Sequence, residues 1–246
     1  MTAETGHDCF EPPENQKIKI WRYMDFTKYV SFLEKRSLYF ARSDLFEDPY
    51  EGATSRANTT LRSVKYKDEE VLSNAFKQLS QFAEWVRVWT YINCWHMNEY
   101  ESSAMWKLYA HADEAVAIQS TFEKLNQNLP SGVYLGVVKY IDYEKDWMPE
   151  GNSFWPFVHK RKSFEHEREI RAVIQKLPIK DNVIATGMPN TEHGRSIPIN
   201  INELVEKVFI SPTAPSWFAE LVSTVTQKFD AKFSVEQSLL AKKPVF

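Results

Sequence analysis

The sequence predicts one α+β domain in which helices pack around a mixed or antiparallel sheet. Short segments rich in β-branched and aromatic residues alternate along the chain with amphipathic segments at helical spacing. Hydrophobic residues make up 43% of the 246 residues, which is enough for one large core. We find no internal repeat and no interdomain linker. Residues 17–246 are therefore predicted to form a single domain, and the polar, proline-containing residues 1–16 a mobile leader.

The first half of the chain alternates predicted strands and helices. Segment 88–95 is β-branched and aromatic, which is typical of a buried strand, and segment 66–87 has the strongest amphipathic helical pattern. Asp25 is suited to cap the helix that follows it, because its carboxylate can accept from free backbone N–H groups. Strands are predicted at 17–23, 38–41, 88–95 and 115–120, and helices over 26–33, 66–87 and 101–111.

The second half contains more strands than helices. Segment 167–175 alternates two chemically different faces, which is the pattern of a strand. Segment 181–195 is loop-like, since its apolar residues follow neither the helical nor the strand periodicity. Further strands are predicted at 132–141, 206–211 and 232–235, and one helix over 215–229.

Charge and cysteine content narrow the classes of partner and compartment. The net charge of −3 gives no overall basic field, so nucleic acid is a disfavoured partner, although a local basic patch is left open. Two cysteines, Cys9 and Cys94, are too few for a disulfide framework and favour a reducing compartment. There is no apolar signal region, and no apolar run approaches ~18 residues. We therefore expect a cytoplasmic protein with no membrane partner; its oligomeric state is left open.

A Glu-x-Glu-x-Arg pattern is the most informative feature of the sequence. Glu167, Glu169 and Arg171 share one face of the predicted strand with Val173, and unpaired charges on such a face are costly to bury. One interpretation is an exposed strand with a surface Glu–Arg pair. The other is a cleft in which two close carboxylates raise one pKa and prepare that group for proton transfer.

Arg22 lies between two aromatic residues, Trp21 and Tyr23. An arginine in that setting can hold a phosphate bidentately while the rings stack on a base. The alternative is an interior arginine paired with an acid such as Asp48 or Glu51. The sequence leaves both interpretations open.

Several other segments have both a structural and a functional interpretation. The acidic turn with Asp44, Glu47, Asp48 and Glu51 has the composition of a cation site but the spacing of no calcium loop, so no metal site is predicted. Met105, Trp106 and Tyr109 are spaced for a helix core, although the last two could line a ligand cleft. The basic run 159–162 could contact phosphates, but such runs are usually a solvated helix face.

Four groups of residues occur in an order that resembles a known family. They are Trp21-Arg22-Tyr23; Leu38-Tyr39-Phe40 with Phe46-Glu47-Asp48-Pro49-Tyr50-Glu51; Asn93-Cys94-Trp95 with Ala104-Met105-Trp106 and Tyr109-Ala110; and Lys160, Phe164, Glu167, Glu169 and Arg171. From Arg22 to the end, the chain resembles the family catalogued as domain of unknown function 2971. The resemblance implies a shared fold and singles out Lys160, but the family name implies no chemistry.

The chain order also resembles the arginine–serine–glutamate branch of the ADP-ribosyltransferases. In that branch an early arginine, a Ser-Thr-Ser segment and a late Glu-x-Glu line the NAD site; here Arg22, Ser120-Thr121 and Glu167-x-Glu169 follow in that order. The resemblance implies an ADP-ribosyltransferase-like fold and an enzyme that uses NAD as substrate, as a transferase or a glycohydrolase. A glutamate would stabilise the oxocarbenium-like centre, Arg22 the pyrophosphate and the Ser120 hydroxyl the carboxamide.

Two departures from that branch bear on the assignment. Phe122 follows Ser120-Thr121 where the branch has a serine, and Arg171 closely follows the glutamates. Two other functions therefore stay open. One is a non-catalytic module, for example in defence or stress response, that binds a nucleotide or peptide. The other is a metal-assisted phosphodiester hydrolase that uses the acids at 48, 51, 167 and 169.

The sequence thus predicts a specific set of site residues. Glu169 and Glu167 are the predicted catalytic residues. The predicted substrate-binding residues are Arg22, Tyr23, Tyr39, Ser120, Trp106, Tyr109, Lys160 and Arg171. No cofactor is predicted, because NAD is expected as a substrate, and the predicted partner is a nucleotide ligand.

Overall fold

The computed structural model describes residues 2–4, 6–66, 69–109 and 113–245. At residues 63–64 and 69–74 it describes the backbone but not the side chains. The strands are β1 (Lys19–Asp25), β2 (Ser37–Arg42), β3 (Thr90–Met97), β4 (Ala115–Thr121), β5 (Tyr134–Val137), β6 (Lys139–Ile141), β7 (His159–Arg161), β8 (Glu169–Gln175), β9 (Ile179–Lys180), β10 (Val183–Ile184), β11 (Gly194–Pro198), β12 (Lys207–Ile210) and β13 (Ser234–Gln237). The helices are α1 (Phe26–Lys35), α2 (Arg56–Tyr66), α3 (Glu69–Arg87), α4 (Ser103–Tyr109), α5 (Phe122–Asn128), α6 (Ile201–Leu204) and α7 (Ser216–Lys228).

A mixed, mostly antiparallel sheet of nine strands organises the described residues. Its path runs β11-β2-β3-β1-β4-β12-β13, and β8 pairs with both β3 and β5. The β12–β13 pair is parallel, whereas the other pairs of this sheet are antiparallel. The predicted α+β class, with one domain around a mixed sheet, is confirmed.

The two faces of the sheet carry different cores. The larger core lies on the face covered by α1, α5 and α7 and includes Ile20, Leu33, Trp95 and Val222. Alternation along the strands sends the neighbouring side chains to the opposite face, where two smaller clusters form. Ile92 and Val173 belong to one of these clusters, and the other contains Trp21, Tyr23, Met105, Trp106 and Phe209.

A fork divides one edge of β3. β1 pairs with the end of β3, where Trp21 lies opposite His96, and β2 pairs with its beginning, where Ala41 lies opposite Ile92. Within the described ranges, residues 93–95 have a ladder partner on β8 alone. Helix α1 connects the two branches, so β1 and β2 diverge from a common neighbour and leave a gap between them.

The predicted mobile leader is packed against the domain, so this expectation is wrong. Cys9 and Phe10 are buried, and the Phe10 ring stacks on Tyr134 with centroids 5.3 Å apart. Gly136 on β5 makes this approach possible, because a Cβ there would lie 2.8 Å from the Cα of Phe10. The polar composition of the segment hid Ala3, Cys9 and Phe10, which are buried in the fold.

Several element boundaries also differ from the sequence prediction. The predicted helix over 66–87 is preceded by the unpredicted α2, and Lys67 and Asp68 lie outside the described residues. Segment 132–141 divides into β5 and β6, because β6 leaves the main sheet to pair with β7. Helix α5 was missed, and the segment expected to be a loop ends in β11, which covers the edge of β2. The predicted end of the helix over 101–111 lies outside the described residues, as does Ala110 of the family pattern.

The capping prediction is confirmed. Asp25 has an extended backbone and accepts a hydrogen bond from the backbone N–H of Lys28, which is how a cap satisfies a free donor in the first helical turn. None of the described helices is both long enough and apolar enough to span a membrane.

Candidate functional site

The fork in the sheet opens into a cavity of about 730 Å³. Its wall includes side chains from both faces of the sheet, with Phe32 and Trp95 from the larger core and Cys94 from the opposite face. Seven of the sequence-predicted site residues line this cavity: Arg22, Tyr23, Tyr39, Tyr109, Lys160, Glu167 and Glu169. Residues more than 140 positions apart in the chain therefore meet at one recess.

A continuous chain of ion pairs forms the acidic wall of the cavity. Arg171 donates from its two terminal nitrogens to the carboxylate of Glu51 (2.6 and 2.8 Å) and from Nε to Glu169 (2.5 Å). The other oxygen of Glu169 accepts from Lys160 Nζ at 2.7 Å, and Lys160 also donates to Glu167. All five side chains are buried. The interpretation as an exposed strand with a surface pair is therefore wrong.

Glu167 reaches this wall from outside the strand. β8 begins at Glu169, and Glu167 lies in the short 3₁₀ turn before it, which ends at Arg168 with φ 41°. The prediction that Glu167, Glu169, Arg171 and Val173 share a strand face is therefore wrong for Glu167. The left-handed residue redirects the chain, and the Glu167 side chain turns back to Lys160.

The two glutamates have opposite electrostatic environments. Burial raises the pKa of Glu167 to about 8, and the neighbouring Glu169 carboxylate contributes in the same direction. Burial also opposes ionisation of Glu169, but Arg171 and Lys160 outweigh it and hold the pKa of Glu169 below its ordinary value. Since the two groups are in contact, they titrate as a pair. At neutral pH the pair holds one proton on the Glu167 side.

Glu167 should make the protein less stable as the pH rises. Its folded pKa of about 8 exceeds the reference value of 4.5, so the folded state binds the extra proton between these values. The stabilisation is complete below pH 4.5 and is lost as the pH rises through 8. We expect Glu167→Gln to remove much of this loss, as measured by urea unfolding at a series of pH values.

Glu206→Gln is the matched control for this experiment. Glu206 is also held by two lysines, Lys19 and Lys124, but its pKa is lowered, so its contribution is lost towards acid pH instead. A Glu167→Gln variant that retains the full alkaline loss of stability would contradict the assignment of the proton.

Arg22 presents a cation to the cavity without an acidic partner. Its guanidinium donates to the Cys94 carbonyl at 3.3 Å, and burial lowers its pKa. No carboxylate within the described ranges forms an ion pair with it. The alternative in which Arg22 pairs with Asp48 or Glu51 is wrong, because Asp48 accepts from Arg161 and Glu51 from Arg171. A desolvated guanidinium on a cavity wall is suited to bind an anion.

Tyr39 forms part of the cavity wall because Gly194 leaves room for its ring. A Cβ at Gly194 would lie 2.3 Å from Cζ and Oη of Tyr39 and 2.5 Å from the Phe40 carbonyl oxygen. We expect Gly194→Ala to lower the free energy of unfolding by about 1–3 kcal/mol, because overpacking forces the ring and strand β2 to move. Urea unfolding measures this loss.

Removal of the Tyr39 ring should relieve part of the strain. The cost of Gly194→Ala should be smaller in a Tyr39→Ala background than in the wild type, and the contact with Phe40 should account for the remainder. An equal cost in both backgrounds would show that the ring does not depend on Gly194.

Three predicted substrate-binding residues lie away from the cavity. Ser120 is 0% exposed and donates to the Leu204 carbonyl oxygen at 2.6 Å, because its position opposite Ile20 turns it into the larger core. Trp106 is 3% exposed and packs edge-on against Tyr23. Arg171 is 0% exposed and supports Glu169 from behind. The structure therefore does not bring these three side chains to the cavity wall, in contrast to the sequence prediction.

The Asn-Cys-Trp segment has a structural role that sequence analysis missed. Asn93 Nδ2 donates across the fork to the Tyr39 carbonyl oxygen at 2.8 Å, and its Oδ1 accepts from Trp95 Nε1 at 2.7 Å. The first bond gives the Tyr39 carbonyl oxygen a partner across the fork, and the two bonds together satisfy the buried amide of Asn93. An asparagine inside an otherwise apolar strand was the available signal, because a buried amide needs partners.

The acidic turn and the basic run are also structural in large part. Asp44 pairs with Arg42, and no group of three or more His, Cys, Asp or Glu side chains in the described ranges is arranged to hold a metal ion. Residues 159–161 of the basic run form strand β7, with His159 and Lys160 buried, and Lys162 is exposed in the 3₁₀ turn that follows. The interpretation of the run as a solvated helix face is therefore wrong.

No protein-family model, curated protein or solved structure matches this chain. The resemblance to the domain of unknown function 2971 family therefore stays a prediction.

Proposed function

We propose that the protein is an enzyme that cleaves the bond between nicotinamide and ribose in NAD, as a glycohydrolase or an ADP-ribosyltransferase. A single observation carries the proposal: the Glu167–Lys160–Glu169 group lines the same cavity as Arg22, which has no ion-pair partner among the described residues. The cavity wall thus offers a pair of carboxyls and a separate cation. A dinucleotide has the matching polarity, with a cationic glycosidic centre and an anionic pyrophosphate.

The acid pair supplies the electrostatics that this cleavage needs. As the bond between ribose C1′ and the pyridinium nitrogen breaks, its electron pair leaves with nicotinamide and C1′ becomes positively charged. Glu169 is ionised across the neutral range and can stabilise that charge. In its ionised form, Glu167 then accepts the proton of the water or hydroxyl group that attacks C1′.

The aromatic wall suits the rings of the same ligand. Tyr39 and Tyr109 are partly exposed, with relative accessibilities of 49% and 41%, and they line the cavity together with Phe46 and Phe164. Flat apolar surfaces of this kind stack on nicotinamide or adenine. The two free cysteines fit a reducing compartment, so we place the activity in the cytoplasm.

Arg22 provides the test of ligand orientation. We expect Arg22→Met to weaken NAD binding by about 10- to 100-fold, since a charge-assisted hydrogen bond contributes about 1.5–3 kcal/mol. Nicotinamide riboside, which lacks the pyrophosphate, should bind the variant and the wild type alike. Fluorescence titration measures binding, and release of free nicotinamide measures turnover.

The control for Arg22 is Arg36→Met at the end of α1. Arg36 is exposed and donates to the Phe229 carbonyl oxygen, outside the cavity. The Arg36→Met variant should bind and cleave NAD like the wild type. If the wild-type protein neither binds NAD nor releases nicotinamide, the proposal is wrong.

A second function is favoured by the state of Glu169. Both of its oxygens are already held, one by Arg171 and one by Lys160. We propose as the alternative a nucleotide-binding module in which the acid pair positions the ligand without cleaving it. Saturable binding of NAD without release of nicotinamide would favour this module over the enzyme.

A further inference from the structure

His96 is a buried histidine on the cavity wall with one ring nitrogen unaccounted for. It is 4% exposed, and its Nδ1 lies 2.6 Å from the backbone carbonyl oxygen of Glu167. Its Nε2 is buried and has no hydrogen-bond partner among the described residues. Such atoms are rare in folded proteins, and each one points to a missing partner. His96 also lines the cavity, so a ligand seated there would lie next to this ring.

The bond to Glu167 determines which hydrogen bonds His96 can make. A carbonyl oxygen only accepts, so Nδ1 carries the proton and donates. Burial lowers the pKa of His96, and Arg168 and His166 add to this shift, which keeps the ring neutral. In that tautomer Nε2 carries a lone pair and no hydrogen. It can accept a hydrogen bond and has none to give.

We infer that His96 determines specificity in this cavity, with Nε2 accepting a hydrogen bond from an N–H group at the reacting end of the ligand. This rests on the proposed function and deepens it. His96 lies beside the proposed reacting centre. Its ring is hydrogen-bonded to the backbone carbonyl oxygen of Glu167, and it is opposite Glu169 in the β3–β8 ladder. A carboxamide offers the N–H group that this position requires. The assignment replaces the role expected of Ser120, which faces the core.

The test compares NAD with its nicotinate analogue, in which a carboxylate replaces the carboxamide. The carboxylate has no N–H group and places a negative charge against the lone pair. We expect the wild type to bind NAD about tenfold more tightly than the analogue. In His96→Asn this preference should fall several-fold, because the side-chain amide can still donate to the Glu167 carbonyl oxygen but the acceptor at the Nε2 position is gone. The part that comes from repulsion between the analogue's carboxylate and Glu169 should remain.

His159→Gln is the matched control. His159 is likewise 4% exposed, its Nδ1 lies 2.8 Å from the Trp155 carbonyl oxygen, and it does not line the cavity. This variant should retain the full preference for NAD. His96→Gln keeps an acceptor near the Nε2 position, so it should retain more of the preference than His96→Asn. It is also the second variant should His96→Asn fold poorly.

The outcomes separate the two proposals. Equal binding of NAD and the nicotinate analogue by the wild type overturns the role of His96 and leaves the proposed function intact. An undiminished preference in a folded His96→Asn variant does the same. Failure of the wild type to bind either dinucleotide overturns the proposed function, and the inference falls with it.

Discussion

Replacement of Arg171 by leucine is expected to destabilise the protein by about 3–5 kcal/mol, or to prevent folding. Arg171 is fully buried and neutralises two carboxylates, Glu51 and Glu169, from the back of the cavity. Its removal would leave both acids without their main counter-charge at positions that are only 3% and 4% exposed. Urea unfolding followed by circular dichroism measures the loss.

Two comparisons test whether the loss comes from the unpaired charges. Arg56 forms an exposed ion pair with Glu144 at 3.6 Å, so Arg56→Leu should cost less than about 1 kcal/mol. Glu51→Leu added to Arg171→Leu should recover part of the stability, because one orphaned carboxylate is removed. A double variant no more stable than Arg171→Leu alone would show that lost packing, and not charge, accounts for the effect.

Glu169→Gln is expected to slow nicotinamide release by about 10²- to 10³-fold while NAD still binds. The amide keeps the shape of the side chain but removes the negative charge that faces the developing positive centre. The reduction should appear in kcat rather than in the dissociation constant, since Arg22 and the aromatic wall still hold the ligand. Steady-state release and fluorescence titration separate the two quantities.

Glu206→Gln is the control for this variant as well. Glu206 is held by two lysines as Glu169 is held by two cations, but it lies in a different recess of the surface. It should release nicotinamide at the wild-type rate. If Glu169→Gln releases nicotinamide at the wild-type rate, the carboxylate has no part in the chemistry.

The part of the site that could be predicted from sequence is the part encoded locally. The alternation at 167–171 identified Glu169 and Arg171, and the aromatic flanks of Arg22 identified a cavity residue. The pairing of Arg171 with Glu51 could not be predicted from such a local pattern. Glu51 lies 120 residues earlier in the chain, and only the packing of a turn against β8 brings the two together.

Strand register explains the wrong assignment of Ser120. The binding role of Ser120 was implied by the resemblance to the arginine–serine–glutamate branch, in which a serine segment lies between the early arginine and the late glutamates. The ladder, however, places Ser120 opposite Ile20, and alternation then directs it into the larger core. Pairing partners between distant strands are a property of the folded chain, so neither the face of Ser120 nor the gap beside Cys94 was predictable from local patterns.

The cavity occupies a position within the sheet itself, because β1 and β2 leave a gap beside β3. A molecule seated there lies where two strands would otherwise have exchanged hydrogen bonds, and it touches both branches at once. Occupancy would then brace the outer β2–β11 pair, which joins β3 through only two paired positions. Binding of the proposed ligand would therefore also change the rigidity of this edge of the sheet.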